Sequence, residues 1–317
     1  MKLIIQIPCL NEEKTLPVTI GALPKSLGGV DEIETLIVDD GSTDRTLDVA
    51  RECGVDHIVR FTANRGLAAA FAAGLDACLK LGADIIVNTD ADNQYCADDI
   101  EKLVGPIIEG KADMVIGVRP IEEIKHFSFF KKRLQRFGSW VVNMFAGTSV
   151  EDTTSGFRAY SREAAVKINI VSNYTYTLES IIQSYEKKIV IQTVDIRTNE
   201  TLRESRLISS ISKYISLSFS TILRTYAMYR PLKYFSVLSA IMFIPGMILG
   251  LRFLYYFATG HGTGLIQSLI LAAVFLIAGV IMFVIALVSD LIAINRKLIE
   301  DVLVRVKNIE INMSDEQ

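Results

Sequence analysis

The sequence predicts an α/β protein built on a mostly parallel sheet, followed by an amphipathic helix and two membrane-spanning helices. Three observations carry this. Short apolar runs alternate with helix-patterned segments from the first residues to Arg119, the order that builds parallel sheets. Polar clusters follow four of these runs, as expected where a parallel sheet turns its carboxyl ends toward a ligand. Toward the other end of the chain lie two stretches almost free of charge, each longer than the roughly 20 residues needed to cross hydrocarbon.

Strands are expected at Leu3–Pro8, Glu34–Val38, His57–Phe61, Asp84–Thr89 and Asp113–Gly117. Helices are expected between them at Glu13–Ala22, Asp44–Cys53, Gly66–Leu81 and Asp98–Glu109, with Thr43 or Asp44 and Asn64 as N-caps. Asn11-Glu12 follow the first strand, Asp39-Asp40-Gly41-Ser42 the second, Asp90 to Gln94 the fourth and Arg119 the fifth. No G-x-G-x-x-G or G-x-x-x-x-G-K-[ST] occurs, which disfavours dinucleotide dehydrogenases and P-loop proteins.

Beyond the sheet, Ile124 to Phe145 is basic and amphipathic, with Lys131, Lys132, Arg133 and Arg136 beside Phe127, Phe129, Phe130 and Trp140. Ile208, Ile211, Ile215, Phe219, Ile222, Tyr226 and Tyr229 then recur at spacings of three and four, the stripe of a helix at an interface or on a domain surface. From Tyr234 to Phe257 only Arg252 is charged, and from Leu265 to Ser289 nothing is. The segment between them is too short for a domain, so the pair reads as a helical hairpin. Arg224, Arg230 and Lys233 before it, and Arg296 and Lys297 after it, place its outer ends in the cytoplasm by the positive-inside rule. The expected organisation is a cytoplasmic domain over 1–205, a juxtamembrane helix over 206–233, a hairpin over 234–289 and a cytoplasmic tail over 290–317. A multi-pass protein of the inner (cytoplasmic) membrane follows.

Composition agrees: 317 residues, half of them hydrophobic, with a mean hydropathy of +0.34 that reflects the apolar last quarter. The start, Met1-Lys2-Leu3-Ile4-Ile5-Gln6-Ile7-Pro8, has too short an apolar run for a signal peptide and reads as a first strand. Cys9, Cys53, Cys78 and Cys96 have no C-x-x-C spacing and read as reduced packing thiols rather than a disulfide or zinc site. A net charge of -3 gives no case for nucleic acid, and His57, His126 and His261 share no pattern.

Five sets of residues carry chemistry. Asp90 and Asp92, after a buried strand, offer the hard oxygens that Mg2+ or Mn2+ prefers, and Gln94 adds a third. Asp39-Asp40-Gly41-Ser42-Thr43-Asp44 reads either as a turn with an N-cap or as a nucleotide site, since adjacent carboxylates need partners such as base N–H groups or ribose hydroxyls. Asp152-Thr153-Thr154-Ser155-Gly156-Phe157-Arg158 is either an ordinary loop or the acceptor side of an active site. Arg119, Arg203 and Arg206 present planar charged forks suited to phosphate, with Ser205 beside them. Lys131 to Arg136 reads as a solvated helix face or as a site for anionic headgroups.

Taken in order, Ile7-Pro8-Cys9-Leu10-Asn11-Glu12-Glu13, Val38 to Asp44, Asn64-Arg65-Gly66, Asp90 to Gln94, Gly117-Val118-Arg119 and Thr154 to Arg158 resemble the family 2 glycosyltransferases with a GT-A, Rossmann-like fold. More narrowly the chain is similar to polyprenyl-phosphate glycosyltransferases related to dolichyl-phosphate mannose synthase and bactoprenyl-phosphate glucosyltransferase. The resemblance covers residues 1 to about 235. It implies that Pro8, Leu10, Glu12, Val38 and Asp40 line a nucleoside pocket, and that Asp90, Asp92 and Gln94 hold the metal. Arg119 and Arg203 would contact donor or acceptor phosphates, with Arg206, Lys131 and Arg133 as further candidates. Asp152 would orient the acceptor or a sugar hydroxyl, and Ser155 lies on the same acceptor side. The resemblance also implies a homo-oligomer, and a tetramer is one form it would take.

The expected activity is therefore transfer of one sugar from a UDP- or GDP-linked donor to a polyprenyl phosphate, undecaprenyl or dolichyl, with inversion. No Gln-x-x-Arg-Trp precedes the spans, which argues against a processive polysaccharide synthase. Two other readings use the same residues: a glycosyltransferase with a non-lipid-phosphate acceptor, and a non-catalytic membrane-tethered protein that binds nucleotide sugars.

Overall fold

Strand β1 (Lys2–Cys9) is buried from Leu3 onward, so it must lie in the middle of a sheet covered on both faces. The structure, a computed structural model, describes residues 1–120, 150–171, 175–199, 220, 223–224, 226–261 and 264–315. β1 pairs in parallel with β2 (Glu32–Asp39) on one side and β4 (Ile85–Asn88) on the other, and β2 pairs in parallel with β3 (His57–Arg60). With β5 (Met114–Val118), β6 (Arg158–Ser161) and β7 (Ile191–Asp195) they form a seven-stranded sheet in the order β3-β2-β1-β4-β6-β5-β7. The five expected strands are present. β6 and β7 are additional, and β6 runs antiparallel between β4 and β5, so the sheet is mixed.

Helices α1 (Leu16–Ala22), α2 (Thr46–Glu52), α3 (Leu67–Lys80) and α4 (Ile100–Ile108) connect the parallel strands, and α5 (Arg162–Lys167) and α6 (Tyr176–Glu186) follow β6. Leu3, Ile5, Ile7, Val87, Val115 and Phe157 are buried in one cluster with Leu16, Ile100 and Leu103 of the helices. Each such side chain contributes about 1.5–3 kcal/mol by leaving water.

Helix starts differ from expectation. α1 begins three residues later than Glu13, because Asn11 takes a left-handed φ of 56° and the chain turns through Glu12–Thr15 before Pro17 can open a helix. α2 has Arg45 at its N-cap with no side-chain bond, although Asp44 Oδ1 accepts the Thr46 N–H at 3.0 Å. α3 has Gly66 at its N-cap rather than Asn64, and its first donors turn to Asp40.

The chain divides into two units, Met1–Ile222 with Val304–Gln317, and Leu223–Leu303. In the first, the end of the chain is tied by Glu310 to Lys80 (3.1 Å) and by Lys307 to the Asn169 side chain (3.0 Å). The second contains α7 (Pro231–Ala258) and most of α8 (Ile266–Asp315). Ser239 Oγ donates to the Gly279 carbonyl at 2.7 Å, and a Cβ on Gly246 would stand 2.9 Å from Leu276 N. Close approach through small residues is how helices associate without a hydrophobic driving force. Both helices are long and apolar enough to cross a membrane, and their most apolar windows are only 11% and 17% buried, unlike the core helices of a soluble domain.

Candidate active site

The order of the strands decides where a site can form. From β1 the chain moves outward through β2 and β3, then returns to place β4 on the other side of β1. Loops leaving β1 and β4 therefore diverge in opposite directions and open a crevice at the carboxyl edge. Because β6 is antiparallel, its amino-terminal end lies at that same edge: Asn88 is the register partner of Arg158, and so is Ile116. The segment from Asp152 to Phe157 thus enters the crevice made by the parallel strands.

On the β1–β2 side, Pro8 and Val38 are direct cross-strand partners, and Leu10, Glu12 and Asp40 follow them. Asn11 ties the two loops: its N–H donates to the Ser42 hydroxyl oxygen (2.9 Å) and its Oδ1 accepts the Thr43 N–H (2.8 Å). Glu12 is buried and accepts the Thr15 hydroxyl at 2.7 Å. Asp40 is also buried, and its two oxygens accept the N–H groups of Arg65 (2.7 Å) and Gly66 (2.9 Å), where the positive end of α3 begins. Gly41 has a φ of 75°, and a Cβ there would stand 2.7 Å from the Ala63 backbone, so only glycine fits this turn. Asp39 gives Oδ1 to Ser42 N–H at 3.0 Å, whereas its buried Oδ2 has no hydrogen-bond partner among the described residues. Arg60 Nε stands 3.8 Å from that oxygen.

On the β4 side, Asp90, Asp92 and Gln94 are half-buried in one loop, as the sequence pattern predicted. Asn93 takes a φ of 56°, and Asp92 Oδ1 accepts the Gln94 N–H at 3.1 Å, which closes the turn. The Asp90 carboxylate lies against Gly156: a Cβ on that glycine would fall 3.1 and 3.2 Å from its two oxygens. The acidic loop and the acceptor-side loop therefore touch.

Arg119 and Asp152 meet directly. Nε donates to Oδ2 at 2.7 Å and a terminal nitrogen donates to Oδ1 at 3.1 Å, a bidentate pair in which Asp152 is fully buried and Arg119 is 11% exposed. The same Arg119 nitrogen reaches the Thr154 hydroxyl at 2.9 Å, and Thr154 donates both its N–H and its hydroxyl to Asp152 Oδ1. Burial alone would push the Asp152 carboxyl up; the Arg119 guanidinium outweighs it and holds the group below its ordinary range. Ser155 is fully buried, with its hydroxyl turned to the Phe157 N–H.

Asn88, Tyr95, Tyr176 and Arg158 shape this edge without having been given a role of their own from the sequence. Asn88 donates to the Gly156 carbonyl (2.8 Å) and to the Tyr176 hydroxyl (2.9 Å). The Tyr95 hydroxyl accepts the Gly156 N–H at 3.0 Å. Arg158, fully buried, donates to the carbonyls of Thr153, Ser155 and Thr177 and to the Ser180 hydroxyl, clamping the loop to the start of α6. The sequence offered Arg158 only as the last residue of the Asp152–Arg158 segment, with no role of its own.

The edge is strongly acidic. The buried Cys9 thiol is pushed well up by burial, and Glu12, Asp39, Asp44 and Asp90 add to the shift. A nucleoside diphosphate arriving here would be repelled unless a cation accompanied it. Mg2+ or Mn2+ fits that requirement and the hard oxygens of Asp90, Asp92 and Gln94. Among the described residues no three His, Cys, Asp or Glu side chains converge into a metal cage, so substrate phosphates would have to complete the coordination. Lys131, Arg133, Arg203 and Arg206 lie outside the described residues, as do the basic segment around Trp140 and most of the Ile208–Tyr229 stripe.

Residues 4–168, just over half of the chain, match the family model described as Glycosyl transferase family 2. An uncharacterized protein of Methanocaldococcus jannaschii is 35% identical over 62% of this chain and 81% of that protein. The UDP-N-acetylglucosamine–dolichyl-phosphate N-acetylglucosaminyltransferase of Methanococcus voltae is 30% identical over 61% of this chain and 83% of its own length. Polyprenol monophosphomannose synthase of Mycolicibacterium smegmatis is 30% identical over 53% of this chain and 64% of its own length. Among solved structures, glucosyl-3-phosphoglycerate synthase from Mycobacterium tuberculosis, in complex with Mn2+, UDP-glucose and phosphoglyceric acid, superposes with a TM-score of 0.56 at 21% identity. That match covers 71% of this chain and 78% of the other, and shows a shared fold.

Proposed function

The chain belongs to glycosyl transferase family 2, and on that premise we propose that it is a membrane-bound inverting glycosyltransferase moving one sugar from a UDP- or GDP-linked donor to a polyprenyl phosphate. The observation that carries this reading is the contact at Gly156 between the Asp90 loop and the Asp152–Arg119 loop, in a chain that also bears two helices able to cross a membrane. A donor-side acidic loop and an acceptor-side loop then share one crevice, and the relatives named for polyprenyl or dolichyl phosphate supply the class of acceptor. The expected place is the inner membrane, with the first unit on the cytoplasmic side where the basic flanks of the hairpin lie.

In this reading Pro8, Leu10, Glu12, Val38 and Asp40 border the nucleoside. Asp90, Asp92 and Gln94 hold Mg2+ or Mn2+, which supplies charge neutralisation for the departing diphosphate. The monophosphate of the lipid has a second pKa of about 6, so its oxygen is ionised at neutral pH and no strong general base is required. That oxygen forms a bond to the anomeric carbon as the bond to the nucleoside diphosphate breaks, with inversion. Asp152 fixes the guanidinium plane of Arg119 at the junction of the two loops, and Ser155 stays with the acceptor side. Arg203, Arg206, Lys131 and Arg133 are the further cations proposed for the acceptor phosphate. A homo-oligomer, and a tetramer in particular, belongs to the same proposal.

The test incubates detergent-solubilised protein with undecaprenyl phosphate, Mn2+ and a panel of UDP- and GDP-sugars. Nucleoside diphosphate release that requires the lipid, with the sugar entering a mild-acid-labile organic phase, is the expected result. Release without lipid dependence, or none with any donor, overturns the proposal.

A further inference from the structure

We propose that Tyr95 is a positioning residue: its hydroxyl ties the acidic loop to the acceptor-side loop and so sets the place of Asp90 relative to the Asp152–Arg119 pair. This inference rests on the function proposed above. Tyr95 directly follows Asp90 to Gln94 and is 4% exposed. Its ring stacks on Phe157 with centroids 4.9 Å apart and planes 8° from parallel, and its hydroxyl accepts the Gly156 N–H at 3.0 Å.

Gly156 is the residue against which Asp90 lies, and its carbonyl is held separately by Asn88 and, more weakly, by the Tyr176 hydroxyl. The backbone of one residue is thus gripped on both sides. The carbonyl end is held by a strand residue and a helix residue, which are anchored in the core. Among the described residues the N–H end is held by Tyr95, the one of these partners that belongs to the acidic loop. Any motion of that loop relative to the Asp152 segment must stretch this bond or break it. A buried N–H without an acceptor is unfavourable, so the bond resists such motion. Outer hydrogen bonds of this kind hold ligating groups in place, and their loss typically lowers metal affinity or activity about 10–100-fold.

Tyr95→Phe removes one oxygen and keeps the ring stack, so the variant isolates the tie. Phe157→Leu, which breaks the stack and keeps the hydroxyl, is its counterpart. Wild-type turnover with undecaprenyl phosphate and the active donor is established first; its absence would defeat the functional reading, not this one. With turnover in hand, Tyr95→Phe should lower kcat about 10-fold or more and weaken Mn2+ binding, read by electron paramagnetic resonance of free Mn2+ with the donor's nucleoside diphosphate present and no sugar, by about 10–100-fold. Phe157→Leu should lower the melting temperature and cost less in kcat and Mn2+ affinity than Tyr95→Phe does. Wild-type kcat and Mn2+ affinity in Tyr95→Phe would refute the inference. So would equal losses in the two variants, since Tyr95 would then act only as core.

Discussion

Replacing Asp152 by Asn keeps the shape of the side chain and deletes its charge, leaving the Arg119 guanidinium 11% exposed with its bidentate partner neutralised. Both contacts of the pair are short, 2.7 and 3.1 Å, and Thr154 loses a charged acceptor for two donors at the same time. Removing one partner of a buried ion pair costs about 3–5 kcal/mol because the other charge stays desolvated. For a unit of this size, 1 kcal/mol corresponds to roughly 2–4 °C in melting temperature, so a fall of roughly 6–20 °C is expected. Circular dichroism melts of Asp152→Asn, Arg119→Met and the double variant give the coupling, and the double variant should recover part of the loss. The pair also has a pH signature. The folded Asp152 carboxyl titrates below its ordinary value of 3.8, so its contribution is fully present above that pH and is lost as pH falls below it toward the folded value. The stabilisation from this group should therefore stay constant between neutrality and pH 4, and the wild-type advantage over Asp152→Asn should shrink only in stronger acid. Equal melting of the wild type and Asp152→Asn at pH 7 would refute the buried pair.

Three further outcomes follow from the geometry. Asp92→Ala should abolish divalent-dependent turnover with a nearly unchanged melt, since its hydrogen bond to the Gln94 N–H only closes a half-buried turn; full activity in excess EDTA would remove the metal from the reaction. Asp40→Ala should cost about 0.5–2 kcal/mol through loss of the two N–H contacts that open α3, seen as a lower melting temperature together with a higher donor KM. The lipid-phosphate reading predicts that kcat/KM for undecaprenyl phosphate falls below about pH 6 as the phosphate dianion takes up a proton, and a profile flat to pH 5 would argue against the dianion as nucleophile.

Much of the fold was legible because burial writes itself into the chain. β1 reads as a continuous apolar run because both of its faces are covered, and the two long apolar helices announce themselves by length and hydropathy. β6 was hidden: its four residues, Arg158–Ser161, carry a charge and a hydroxyl, and only pairing with β4 and β5 makes them a strand. The helix caps were misjudged for a related reason. Asn64 is the better local cap, yet Asp40, distant in sequence, reaches the same donors through the sheet.

The sequence by itself determined which residue types stand at the strand ends, because turns and acidic loops need particular side chains in consecutive positions. It determined the two apolar helices for the same local reason, since hydropathy is a property of each segment. Which of these groups meet is a matter of long-range pairing. Tertiary structure alone decided that Arg119 faces Asp152, that Gly156 receives Asp90 and the Tyr95 hydroxyl, and that Arg158 turns inward to clamp a loop. The physical reason is the antiparallel insertion of β6, which carries the Asp152–Phe157 segment to the carboxyl edge of strands far from it in the chain.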